Sequence, residues 1–124
     1  MILPPRYASR IHRISHLSFL SALLALYTQG WTSALVPFVV GCTTRAYWAD
    51  PTPGWRRRVD IAAVVAGGAY QWYHAPPWYT WIVALTSLCY ARARSATDPD
   101  EASQWHAALH VCANAGNVML CLLS

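Results

Sequence analysis

Two imidazoles four residues apart, His106 and His110, stand in the stretch 105–117, which reads WHAALHVCANAGN. Residues at this spacing share one face of a helix, and two such imidazoles can grip one metal ion. His12 and His16 repeat the spacing near the other end of the chain. Asp60, and the series Thr43, Thr44 and Tyr47, are the polar groups available to join them. The chemistry such a set supports is zinc-dependent hydrolysis. His106, His110 and His16 would be the metal ligands, with Asp60 as the alternative third, and the fourth position would hold a water brought to a pKa of about 7. Asp60 would orient or deprotonate that water, while Thr44 or Tyr47 would stabilise the oxyanion of an amide or ester substrate. A haem-like cofactor between His16 and His106 or His110 is a lesser option.

The elements that must carry these residues belong to a membrane. Of the 124 residues 56% are hydrophobic and 11% charged, far below the roughly 25% charged residues of soluble domains. All nine basic residues are Arg, and the formal net charge is +4. No basic stripe with interleaved aromatics sits on a soluble scaffold, so nucleic acid is not an expected partner. Cys42, Cys89, Cys112 and Cys121 form no CxxC pair and lie in apolar segments, as free thiols acting as small hydrophobes do. No Gly-rich phosphate loop, nucleophile elbow or paired carboxylates are present.

Hydrophobic runs predict an all-α, polytopic integral membrane bundle in a single domain over 1–124, with about five spans. Residues 1–13 form a short basic tail, and the spans are 14–29, 32–48, 59–74, 78–91 and 105–123. The fourth is the shortest, so four spans is the nearest alternative. The first lacks a small-x-small cleavage site and is expected to be retained. Pro37 is expected to kink the second. Ala62, Ala63, Ala66, Gly67 and Gly68 let the third approach its neighbours closely. Loops 49–58 and 92–104 are polar. Those two loops and the tail then share one side, and every Arg except Arg45 lies in or beside them. The opposite side has no charge, which orients the chain with its N-terminus in and its C-terminus out. Two aromatic belts are expected. Trp48, Trp55, Tyr90 and Trp105 form the inner one; Tyr27, Trp31, Trp72, Tyr73, Trp78 and Tyr79 form the outer. His16, Asp60, Thr44, Tyr47, His106 and His110 fall at the inner level, and His74 at the outer.

The order of these motifs resembles the alkaline ceramidase-like membrane hydrolase superfamily. A hydroxyl residue and a partner four later on the second span (Thr43 with Tyr47, or Thr44 with Trp48), an Asp opening the third, and HxxxH on the last carry the likeness. It implies a zinc-dependent hydrolase of lipid amides, or an inactive relative. The chain departs from that family in two ways. It has five spans rather than seven, and Thr and an aromatic stand where the family has Ser and a zinc-binding His. The competing expectation is a non-catalytic accessory or assembly subunit of a larger membrane complex, or a self-associating protein. Polar residues at the membrane boundary are cheap there. Asp60 would then pair with Arg56 or Arg57, and Asn114 and Asn117 would bond between helices.

Overall fold

Proline and glycine set most of the helix boundaries. The computed structural model describes residues 3–123, which are all-helical with no strand among them. Pro4 stands extended and Pro5 opens α1 (Pro5–Ile14) at the position where a missing N–H costs nothing. Helix α2 (Leu17–Thr28) follows after a two-residue break with no proline or glycine in it. There Ser15 Oγ donates to the His12 carbonyl at 2.6 Å, and His16 Nδ1 lies 3.1 Å from the His12 and Arg13 carbonyls. Side chains that occupy helix carbonyls compete with continuation of the helix. Gly30, at φ 96°, reverses the chain into α3 (Trp31–Ala49).

The turn 50–54 contains Pro51, Pro53 and Gly54 and leads into α4 (Trp55–His74). Ala75 is forced extended by Pro76 behind it. Helix α5 is Tyr79–Ser95. Helix α6 (Pro99–Leu123) starts with proline at its first position and with Asp100 and Glu101 in the first turn, where the helix dipole favours negative charge.

Two expectations change. The segment read as a basic tail is, over its described part, helix α1, packed on α6 and α3 with Ile11 completely buried; Met1 and Ile2 lie outside the described residues. Its alanine and isoleucine face inward while Arg6 and Arg13 face outward, an amphipathic pattern that the charge-dominated reading missed. The polar loops are also much shorter than expected. Arg56, Arg57 and Arg58 are helical in α4, and residues 99–104 form the first turns of α6.

Among the described residues one helix, α6, is long and apolar enough to cross a membrane. Helix α2 alone has 12 residues, about 18 Å against the ~30 Å hydrocarbon core. Helices α3 and α4 have 19 and 20 residues, but Thr, Gly, Arg and Trp dilute their apolar content.

Helix α6 packs against α5, α2 and α1, and α3 packs against α2, α4 and α1. Helix α4 leans on α3 and touches α5 only slightly. A glycine marks each of three close approaches. A Cβ on Gly41 would meet the Phe19 ring at 3.1 Å, one on Gly67 would meet Val36 at 2.8 Å, and one on Gly116 would meet Ile82 at 2.5 Å. The expected close approach of the Ala/Gly-rich α4 is therefore made by Gly67; Gly68 faces open space.

The interior is small and polar while the exterior is aliphatic. Ser15, Ser18, Ser21, Ala22, Ala25, Ala34 and Thr44 are buried, whereas Leu23 (64% exposed), Leu35, Phe38, Val65 and Leu88 point outward. Among the described residues one larger hydrophobic cluster joins Leu3, Ala8, Ile11, Tyr47, Trp48 and Ala102 where α1, α3 and α6 meet. Of the aromatics assigned to the belts, Tyr27 (90% exposed), Trp31, Trp55, Trp72, Tyr73 and Tyr90 are exposed. Trp48 and Tyr79 are core residues instead.

Candidate functional site

The expected residues resolve into two groups joined by Trp48. In the first, Thr44 and Asp60 face each other between α3 and α4. Thr44 is fully buried, and its hydroxyl donates to Asp60 Oδ1 at 2.7 Å; Thr43 donates to the same oxygen at 3.1 Å. Thr43 and Thr44 are adjacent, so one carboxylate oxygen collects both hydroxyls of a single helix turn. Tyr47 lies one turn on and faces Asp60 and Arg57. Asp60 does not pair with Arg56, which instead reaches Asp50 at 3.4 Å across the preceding turn.

In the second group His106 and His110 stack on α6 with ring centroids 5.3 Å apart. The Trp48 ring closes the stack, 4.9 Å from His106 and 4.9 Å from Tyr47. His110 is buried, and its Nε2 has no hydrogen-bond partner; Trp48 Nε1 is likewise buried and unpartnered. Two orphaned polar atoms thus flank His106, in a part of the bundle where such groups are normally satisfied.

The third member of the expected shell is elsewhere. His16 is exposed, its Nδ1 is turned onto its own backbone, and its ring contacts are His12 at 5.5 Å and Phe19 at 6.2 Å. Among the described residues no three His, Cys, Asp or Glu side chains converge as a metal-holding group. The donor set therefore does not fit a zinc shell. His106 and His110 are one pair, Asp60 is engaged by two threonines, and the break after α1 carries His16 outward. For a bis-imidazole arrangement, His16 is exposed, with its ring beside His12 and Phe19.

What the polar residues do instead is join helices. Ser21 on α2 donates to Asn114 Oδ1 on α6 at 2.8 Å, and Asn114 Nδ2 returns to the His110 carbonyl at 2.8 Å. Gln71 on α4 donates to Asn117 Oδ1 on α6 at 3.0 Å, and its own Oε1 accepts from Tyr79 of α5 at 3.2 Å. Gln29 reaches the Leu120 carbonyl at 2.8 Å. At the end of the bundle that carries α1, Arg10 holds Asp100 at 2.9 Å and Ser103 at 2.7 Å on α6.

The expected interhelical bonds of Asn114 and Asn117 are present. Their partners Ser21 and Gln71 lie 93 and 46 residues away, a separation that no local pattern announces. The four cysteines are free thiols. Compared with models of protein families, with curated proteins and with solved structures, the chain matches none.

Proposed function

We propose that the protein is a small multi-pass membrane component without catalytic activity. Its helices would be held together by buried polar joints, and its apolar exterior would face lipid and neighbouring subunits or copies of itself. In this reading α1 carries its arginines at the membrane surface and continues through the break at Ser15 and His16 into α2, the two together supplying the length of one span. The joined helices, and α3 to α6, then cross the bilayer as five spans with the N-terminus in. The observation that carries the proposal is the inverted distribution of side chains. Serine, threonine, asparagine and aspartate are inside while leucine, valine and phenylalanine are outside. Interiors of small residues with interhelical hydrogen bonds are how helices associate in lipid, where burying leucine gains nothing over leaving it in the acyl chains.

Single cysteines introduced into a cysteine-free version test the topology. Those placed at Thr52 and Thr97 should label from one side of the membrane and one at Ala75 from the other. Labelling of all three from the same side overturns the five-span arrangement. Native mass of the protein extracted in mild detergent tests the accessory role, with a defined assembly or homo-oligomer expected and a bare monomer contrary to it.

A second reading, a hydrolase-like relative of the ceramidase-like superfamily, keeps one specific observation in its favour: the unpartnered Nε2 of buried His110 beside His106. Elemental analysis separates the two. Stoichiometric zinc lost in a His106→Ala/His110→Ala variant would support the hydrolase relative, and metal-free parent protein would remove it.

A further inference from the structure

At the end of the bundle opposite the arginines, a cavity of about 400 Å³ opens between α2, α3, α4 and α6. Among the described residues α4 stands off from α6, and the Gln71–Asn117 bond crosses the gap. Its volume falls in the range of small-molecule sites, about 300–1,000 Å³.

The lining has three properties. Its hydrogen-bonding groups are of three kinds: the hydroxyls of Thr32, Ser33 and Tyr70, the amides of Gln29, Gln71 and Asn117, and the imidazole of His74. Among the described residues no Asp, Glu, Lys or Arg lines it, so the lining offers no fixed counter-charge to a phosphate or an ammonium group. Tyr70 packs on His74 with centroids 4.5 Å apart, which gives an aromatic wall beside the polar groups.

Much of the hydrogen-bonding capacity there is unspent. Gln71 and Asn117 use one another's groups only in part: Asn117 Oδ1 accepts from Gln71, and among the described residues its Nδ2 makes no hydrogen bond. Pro37 in the wall has no N–H to give the Ser33 carbonyl one turn earlier, which leaves a backbone acceptor beside the Ser33 hydroxyl. The remaining wall is apolar, with Ala25, Val36 and Pro37. Trp31, Trp72 and Tyr73 are exposed at the same end of the bundle.

We infer that this cavity binds a neutral polyhydroxylated group, either the sugar head of an uncharged glycolipid or a free sugar. Hydroxyls satisfy amides, hydroxyls and carbonyls alike without charge, the apolar face of a sugar ring stacks on the Tyr70 wall, and the alanine–valine–proline side accommodates an aliphatic continuation. The site is independent of the His106/His110 pair and stands whether or not that pair has chemistry of its own.

Full-length protein in a polyoxyethylene detergent, which carries no sugar, provides the test. Monoglucosyl diacylglycerol and phosphatidylglycerol are titrated by native mass spectrometry, and methyl glucoside by calorimetry. The decisive variant combines Thr32→Val, Ser33→Ala and Tyr70→Phe, which removes three hydroxyls and leaves every interhelical hydrogen bond in place. A Ser33→Leu variant, which fills the cavity, repeats the test should the triple variant unfold.

Saturable binding of the glucosyl lipid, weakened about tenfold or more in the variants, with phosphatidylglycerol not competing, supports the site and a lipid-borne ligand. Binding of methyl glucoside with the same loss supports the site and a soluble ligand. Absence of saturable binding by either probe, binding unchanged in the folded variants, or equal binding of phosphatidylglycerol overturns the inference.

Discussion

Gly116 offers the sharpest test of how the bundle is packed. It lies on the face of α6 that meets α5, and a methyl group added there would sit 2.5 Å from Ile82 Cγ2 and 3.2 Å from the Tyr79 ring. Ordinary van der Waals contact begins nearly an ångström further out. Ile82 is branched at Cβ and cannot swing Cγ2 away without leaving its rotamer well. Overpacking of this kind costs about 1–3 kcal/mol, against a gain of about 1 kcal/mol from replacing a mid-helix glycine by alanine.

Gly116→Ala should therefore lose up to about 2 kcal/mol, combining the two. Gly68→Ala meets nothing within 4 Å and should gain up to about 1 kcal/mol. The assay is reversible unfolding in mixed micelles titrated with dodecyl sulfate. Ile82→Ala should restore most of the loss when combined with Gly116→Ala, as an interaction energy in a double-mutant cycle. Equal effects of the two glycine substitutions, or no rescue by Ile82→Ala, would refute the packing of α5 on α6.

Three further outcomes follow from named contacts. Thr44→Val removes the 2.7 Å bond to the buried Asp60 carboxylate and leaves only Thr43; a loss of about 1–3 kcal/mol is expected in the same unfolding assay. Asp60→Asn, which keeps an acceptor oxygen, should cost less. Ser21→Ala and Asn114→Ala should couple in a double-mutant cycle by about 0.6 kcal/mol, the usual size for an interhelical bond in lipid, whereas strict additivity would mean the 2.8 Å contact is not made.

His12 lies in the arginine-bearing part of α1, outside the proposed spans, and burial first, then His16 and Arg45, hold its pKa below 6.5. A lowered folded pKa means protonation favours the undocked helix. The contribution of His12 is complete above pH 6.5 and is lost as the pH falls below it. Protection factors of the α1 amides, corrected for the pH dependence of intrinsic exchange, should fall on acidification, and His12→Gln should flatten that dependence.

The two-helix contacts explain what could be seen in advance and what could not. Helix existence was written into the chain, because apolar runs punctuated by Gly30, Pro51–Gly54 and Pro76–Pro77 leave few alternatives. The spacing of His106 and His110 likewise guarantees that they share a face of α6, and the structure brings their rings together. The Thr44–Asp60 approach was foreshadowed only as membership of one level. The placement of His16 was not legible. It depends on Ser15 and His16 taking the carbonyls that would have continued α1 into α2, a choice made by side-chain hydrogen bonds and not by hydropathy. The cavity was missed because its residues come from four helices; Pro37, His74 and Asn117 stood out in the sequence, but with nothing to show that they share one wall.

By itself, then, the sequence determined the helical class, the charge asymmetry and the pairing of residues within one turn, because these depend on local periodicity and composition. Only the tertiary structure decided which helix faces which. The stand-off of α4 from α6 and the use of Asp60, Asn114 and Gln71 as joints go with glycine-mediated approaches such as Gly67 on Val36 and Gly116 on Ile82. Those approaches link residues tens of positions apart. Steric fit between helices chooses them, and periodicity carries no record of it.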